Sequence, residues 1–303
     1  MKRRSFLGIT LPLAVTGPVA AESAESSELS FGVIADPQYA DKPPKGSRFY
    51  RNSLGKLKEA VASLNREPLE FVVSLGDLID ADFRSFDAVM PIYAGLHAPH
   101  YPICGNHDFE VDDADKAKVL TAMKLKKSYY SKVFKGWRFV FLDGTELGVW
   151  RYGSGDPRTK KSKALLEKLS ADGKSQAKPY NAGVGDEQMA WLEAELKAAK
   201  EAKQRVVLFN HYPVIPAGKG HNLWNAEELV EMIDRHDHVA AYMNGHNHSG
   251  NYGTHRHCHY VNFKGMVETK NKTAYGVVRC FPDRLEIVGS GIEPDRDLRQ
   301  LQG

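Results

Sequence analysis

Apolar residues along this chain fall into short unbroken runs that stop abruptly at polar ones, alternating with stretches in which they recur every three or four positions. Leu29–Ala35 is the first run, and its halt at Asp36-Pro37 predicts a buried strand leading into a loop. After a Pro/Gly-rich loop, Leu54, Leu57, Val61 and Leu64 are spaced to form one apolar face of a helix. Leu69–Leu75 predicts a second buried strand, ending at Gly76-Asp77, followed by a helical stretch to about Leu96. Tyr101–Cys104 predicts a third strand, cut off at Gly105-Asn106-His107. Lys127–Ser131 and Trp137–Leu142 read as further strands, Asp186–Ala202 as a helix, Arg205–Asn210 as a strand stopping at His211, and Glu227–Arg235 as a helix. His238–Met243 stops at Asn244-Gly245-His246; Val261–Phe263, Tyr275–Cys280 and Leu285–Val288 complete the predicted strands. Between Gly144 and Gly185 periodicity is weak, which predicts a long loop or cap insertion.

Strand, polar loop and helix repeated in this way argue for an α/β domain whose functional groups collect at the carboxyl edge of its sheets. At 303 residues, 42% hydrophobic and 26% charged, the chain is long enough for one large domain, here expected over residues 22–303. The formal charge of +3 is supplied entirely by Lys2, Arg3 and Arg4, so net basicity gives no indication of a nucleic-acid partner. Those residues head an apolar run, Gly8–Ala20, followed by Val19-Ala20-Ala21 as a cleavage site. This is a twin-arginine export pattern over residues 1–21 that implies the twin-arginine machinery as a partner and a periplasmic or extracellular location. The alternative is a membrane anchor, but the run is shorter than the roughly 20 apolar residues a spanning helix needs. No stable membrane insertion is expected of the mature chain. Cys104, Cys258 and Cys280 permit at most one bridge and read as buried free thiols.

The candidate chemistry lies where the strands stop. In order, these ends carry Asp36-x-Gln38, Gly76-Asp77-x-x-Asp80, Gly105-Asn106-His107-Asp108, Asn210-His211 and Gly245-His246-Asn247-His248, with glycines that let the backbone turn sharply. Any one of these is an ordinary helix cap or surface histidine. Together, carboxylates, imidazoles and amide oxygens have the composition of a two-metal site.

The five blocks resemble the signature of the calcineurin-like metallophosphoesterase superfamily, D-x-[HQ], GD-x-x-[DY], GNH-[DE], H and GH-x-H. The resemblance implies two mixed β-sheets in a sandwich flanked by helices, a four-layer αββα arrangement. It further implies that Asp36, Gln38, Asp77 and His248 hold one divalent cation and Asp77, Asn106, His211 and His246 the other, with Asp77 shared. His107 is then the catalytic group on the leaving-group side, oriented by Asp80. Asp80 stands where purple acid phosphatases carry a tyrosine ligand, and Ala81 where the protein serine/threonine phosphatases carry an arginine. Gln38 in place of histidine offers a harder donor, which leans toward Mn²⁺ over zinc.

Within the superfamily, the chain is most similar to the manganese-dependent ADP-ribose/CDP-alcohol diphosphatases. The resemblance runs through Phe31–Asp41, Tyr50–Leu54, Gly183–Gln188, Trp191-Leu192, Leu223–Asn225 and Gly265–Thr269. It implies hydrolysis of the phosphoanhydride bond of a small nucleotide substrate to a nucleoside monophosphate and a phosphorylated alcohol or sugar. A phosphodiesterase of the same fold acting on cyclic nucleotides or glycerophosphodiesters, and a non-catalytic binding scaffold, are the alternatives. Arg51 either clamps the distal phosphate or lies along a helix edge. Tyr39, Phe109, Trp150 and Tyr252 either stack on a base or pack. His255, His257 and His259 alternate as on one strand face, either an exposed polar face or a further metal site.

Overall fold

The computed structural model describes residues 27–301; the twin-arginine segment and its cleavage site lie outside the described residues. The first apolar run becomes β1 (Leu29–Ile34), with β2 (Phe71–Ser74) and β3 (His100–Pro102) parallel to it on one side. On its other side β10 (Ala274–Cys280), β11 (Arg284–Gly291) and β12 (Arg296–Arg299) follow antiparallel, giving the order β12-β11-β10-β1-β2-β3. The second sheet is built from β4 (Tyr130–Phe134), β5 (Trp137–Phe141), β6 (Arg205–Phe209), β7 (Val239–Asn244), β8 (Asn251–His255) and β9 (Cys258–Asn262). Its order is β4-β5-β6-β7-β9-β8, with β5, β6, β7 and β9 mutually parallel. Both sheets are therefore mixed, as expected.

The sheets face one another across an aromatic layer. Phe31 stacks on Phe71 with ring centroids 5.0 Å apart, and Phe139 and Phe209 meet that pair edge-on at 4.9 Å from Phe71 and 5.6 Å from Phe31. Rings packed at these offsets leave little room for either sheet to slide, which makes the layer a rigid base for the strand ends above it. Helices cover the outer faces. On the first sheet lie α1 (Ser53–Leu64), which turns Leu57, Val61 and Leu64 inward as its spacing predicts, with Leu54 half-buried and Ala60 joining the core, and α2 (Ser85–Tyr93). Two single-turn helices, α3 (Asp113–Lys116) and α4 (Val119–Ala122), lie beyond β3 in sequence, and Val119 joins the same core. On the second sheet lie α6 (Asp186–Glu201) and α7 (Ala226–Asp234), burying Leu192, Leu196, Leu229 and Ile233. The result is four layers, αββα. Among the described residues no helix is long and apolar enough to cross a membrane. All three cysteines are buried and free.

Four local expectations are corrected. The 144–185 segment is not all loop: it contains α5 (Pro157–Ala171), capped by Asp156, whose carboxylate accepts from Arg158 N, with proline at the first turn. That helix buries only Thr159 and Ser162, so it shows no apolar stripe. The strand expected at Lys127–Ser131 is shifted to Tyr130–Phe134. A two-residue hairpin turn at Lys135-Gly136, both with positive φ, pairs Phe134 with Trp137 and sets that register. β8 and β12 were not expected, because both are polar strands at sheet edges whose pairing is decided by the neighbouring strand. Finally, His255, His257 and His259 do not share one strand face. β8 turns into β9 between them, with His255 opposite Cys258.

Replacing Phe71 by alanine removes the ring that touches most of the inter-sheet layer, and Phe71→Ala should lower the unfolding free energy by about 3–5 kcal/mol, read as a reduced urea midpoint.

Candidate dinuclear metal centre

The parallel strands of both sheets deliver their carboxyl ends to one edge of the sandwich. Asp36 follows β1, Asp77 follows β2, Asn106 follows β3, His211 follows β6 and His246 follows β7. The backbone there is strained. Asp36 (φ 48°), Gln38 (φ 42°), Asp77 (φ 53°) and His246 (φ 65°) all hold left-handed conformations, each costing of order 1–3 kcal/mol and characteristic of functional sites. Only Gly76, at φ 89°, turns the chain as a glycine must. Gly105 and Gly245 serve a different purpose from the sharp turn expected of them. A Cβ on Gly105 would sit 2.2 Å from Asp77 Oδ1, and one on Gly245 would sit 2.5 Å from Asp36 Oδ2. They are glycines because a buried carboxylate occupies the space.

The seven ligand candidates converge. Single ligand atoms of Asp77, His211 and His246 all lie within 4.8 Å of one another, and so do those of Asp36, Asp77 and His248. Asp77 belongs to both groups. Its Oδ2 lies 3.3 Å from His211 Nε2 and 2.9 Å from the Gln38 amide, while its Oδ1 accepts from the main-chain N–H of His107 at 2.8 Å. Asn106 Oδ1 lies 3.2 Å from His211 Nε2, and His246 Nδ1 lies 3.2 Å from the same nitrogen. His248 Nε2 lies 3.8 Å from Asp36 Oδ1.

The chemistry of this donor set tests whether cations fit it. Each histidine has an acceptor on the side away from the cluster: His211 Nδ1 on the Leu75 carbonyl at 2.7 Å, His246 Nε2 on Asn181 Oδ1 at 2.9 Å, and His248 Nδ1 on Glu268 Oε1 at 2.8 Å. These partners set the ring orientations, so the remaining nitrogen of each ring faces inward, and each neutral ring would offer its lone pair there. Asn106 is oriented likewise, since its Nδ2 donates to Glu110 Oε1 at 3.2 Å and leaves Oδ1 facing His211. Imidazole nitrogens and carboxylates thus face one another in a buried cluster, an arrangement that positive charge, as protons or cations, stabilises. Gln38 gives the same indication: its NH₂ group faces Asp77 and His248, leaving Oε1 buried without a partner, and rotating the amide half a turn presents that oxygen to the cluster. The residues fit two hard divalent ions that share Asp77.

The proton equilibria follow from the same crowding. Burial raises Asp36 against the opposing pull of His248 and His211. Burial works against the Asp77 carboxylate too, but His211 and His107 win and hold it far below the usual range. His211 is disfavoured by burial, yet the charge of Asp77 carries it up to about 9. Burial and the neighbouring His211 charge keep His246 well below the ordinary histidine value.

Beside the cluster, His107 Nδ1 donates to Asp80 Oδ1 at 2.7 Å and lies 3.3 Å from Glu110 Oε2. Burial opposes protonation, but Asp77, Asp80 and Glu110 together push the His107 imidazolium well above its ordinary value. Lys42 pairs with the other oxygen of Asp80. Asp108 ties these loops together. Wholly buried, it accepts from the main-chain N–H groups of Asp77, Leu78, Ile79 and Gly105 at 2.8–3.3 Å, stitching the β2 and β3 ends together.

A cleft of about 250 Å³ opens over the cluster, lined by Gln38, Asp77, Asn106, His107, His246 and His248 together with Arg48, Glu110, Tyr180 and His221. Arg51, the expected phosphate clamp, is not among its walls. It is half exposed and bound to Asp41 at 2.5 Å, whereas Arg48, three residues earlier, lines the cleft. None of Tyr39, Phe109, Trp150 and Tyr252 lines it either. Phe109 is a core ring under the Arg151 guanidinium, Trp150 donates to the Pro179 carbonyl, and Tyr252 bonds His259. Sequence reasoning missed Glu110, Asn181, Tyr180, His221 and the role of Glu268. Only Glu110 carries a local signal, four residues after Asn106. His255 and His259 are engaged by Asp234 and by Tyr252 and the Arg299 carbonyl, and none of these histidines joins a three-ligand group among the described residues.

Two mixed sheets bearing a caged pair of cation positions at their strand ends, with an imidazolium alongside, define a dinuclear metallohydrolase. The family model of calcineurin-like phosphoesterases matches residues 29–250, and the chain belongs to that family. A manganese-dependent ADP-ribose/CDP-alcohol diphosphatase from Oryza sativa subsp. japonica is 29% identical, over 94% of this chain and 98% of its own. One from Bos taurus is 30% identical, over 90% of this chain and 95% of its own. The crystal structure of a dimetal phosphatase from Danio rerio matches with a TM-score of 0.83 at 25% identity, covering 91% of this chain and all of that one.

Because a Cβ at Gly105 strikes the shared carboxylate and one at Gly245 strikes Asp36, the two alanine variants should differ. After dialysis against Mn²⁺ and buffer, elemental analysis should find both ions depleted in Gly105→Ala, and chiefly one in Gly245→Ala.

Proposed function

We propose that this hydrolase cleaves the phosphoanhydride bond of nucleoside-diphosphate compounds such as ADP-ribose and CDP-alcohols, releasing a nucleoside monophosphate and a phosphorylated sugar or alcohol, with Mn²⁺ at both positions. The observation that carries the reading is the cluster of convergent carboxylates and imidazoles with His107 hydrogen-bonded to Asp80 beside it, in a cleft lined by Arg48. Near full-length similarity to relatives named for that activity supports it. Gln38 supports manganese, since its amide oxygen is a harder donor than imidazole.

Asp36, Gln38, Asp77, Asn106, His211, His246 and His248 would hold the divalent ions, which would supply charge neutralisation for the phosphates and acidify a water. The chain's own groups do the rest. His107, protonated and anchored through Nδ1 by Asp80 and Glu110, has Nε2–H to give to the oxygen that leaves phosphorus. Arg48 presents a guanidinium to the other phosphate across the cleft. Tyr180 and His221, ring centroids 5.7 Å apart, form the wall beside His246 against which the non-reacting part of the substrate rests.

His107→Ala should retain its metal content and lose about 10²–10⁴-fold in kcat. Chromatography of products from ADP-ribose and CDP-choline with Mn²⁺ should show AMP and CMP with the parent. A parent that hydrolyses cyclic nucleotides or bis-p-nitrophenyl phosphate in preference to these overturns the proposal.

We also infer export by the twin-arginine route, supported by Arg3-Arg4 ahead of the apolar run at Gly8–Ala20. The pair Arg3→Lys/Arg4→Lys should leave full-length protein in the cytoplasm on fractionation, while the parent appears outside it at a mass about 21 residues smaller.

A further inference from the structure

Lys56 is a charged residue on the buried side of α1, one position before Leu57 and only 3% exposed. An ammonium has three protons to give, and three main-chain carbonyls accept them: those of Met266, of Glu268 at 3.1 Å and of Thr269 at 2.9 Å. All three belong to one irregular segment that follows β9. The segment is docked on the metal cage, with Met266 N–H on the Ala35 carbonyl and Val267 N–H on the Asp36 carbonyl, both at 2.9 Å. It also holds Thr269 in a left-handed conformation, φ 63°, unfavourable for a β-branched residue unless its surroundings impose it. What the segment delivers is the Glu268 carboxylate, which accepts the Nδ1 proton of His248 at 2.8 Å.

We propose that Lys56 is a positioning residue for the metal position that includes His248. Its ammonium gathers the three carbonyls, the gathered segment aims Glu268, and Glu268 sets the tautomer and ring angle with which His248 faces the ion. The other two histidine ligands are held from different elements: His211 by the Leu75 carbonyl, His246 by Asn181. The effect of Lys56 is therefore confined to one of the two positions. The inference rests on the two-ion reading of the site and not on which anhydride is cleaved.

The test is a calorimetric titration of the chelator-stripped full chain with Mn²⁺ alone. The parent should bind two equivalents. Lys56→Met and Glu268→Gln should each weaken one equivalent about 10- to 100-fold while leaving the other unchanged, and the weakened equivalent should be the one that His248→Ala removes. The double variant should be no weaker than the worse single, because the two residues act in series. A Lys56→Met protein that binds both ions as the parent does overturns the inference. So does one that loses both alike together with thermal stability, which marks a merely structural lysine, and so does an additive double variant. If Lys56→Met does not accumulate folded, Lys56→Gln, which keeps an amide donor, is titrated against the same criteria. A parent that binds fewer than two ions overturns the two-ion reading itself, an outcome distinct from failure of the Lys56 step.

Discussion

Two buried carboxylates, two side-chain amides and three imidazoles converge on one small volume at the floor of the cleft. Unbalanced, that concentration of negative and acceptor groups costs far more than a domain's net stability, and proton sharing relieves only part of it. Divalent cations would offset it, and the architecture around the site holds the acceptors close together. The left-handed backbone at Asp36, Gln38, Asp77 and His246 is the local strain of that arrangement. The bare Cα positions of Gly105 and Gly245 are the steric room it needs.

Such strain persists only on a rigid base. The aromatic layer between the sheets, in which Phe31, Phe71, Phe139 and Phe209 interlock, holds β1, β2, β5 and β6 in register. The parallel pairing within each sheet then brings the strand ends to one edge. Asp108 adds a clasp at that edge, with four main-chain N–H groups converging on one buried carboxylate that ties the loops after β2 and β3 to each other. Burial, together with the nearby Asp77 charge, pushes Asp108 up to about 7.

Around the candidate ligands stands a ring of residues that orient Asn106 and the three histidines. Asn181 comes from the segment between α5 and α6, Glu110 from the turn after His107, Glu268 from the segment beyond β9, and Leu75 contributes only its carbonyl. The segment from 144 to 185 is thus part of the site's wall as well as a surface feature. Its Tyr180 lines the cleft and its Asn181 orients a ligand.

The sequence by itself determined the strand ends and the ligand types placed on them. Each ligand block directly follows an apolar run, and a buried strand that stops at a polar residue is a local pattern, as in Leu29–Ala35 before Asp36 or Arg205–Asn210 before His211. The helix pattern of α1 was equally legible, because its stripe of four apolar residues is what its burial requires. Only the tertiary structure decided that Arg48 rather than Arg51 lines the cleft, that Asn181 and Glu268 face His246 and His248, and that Lys56 is buried against a segment more than 200 positions away. It alone placed the polar edge strands β8 and β12 and the stripe-less helix α5. The reason is physical: burial of apolar side chains imprints a short-range period on a sequence, whereas a hydrogen bond between two polar groups brought together by folding leaves no period at either end.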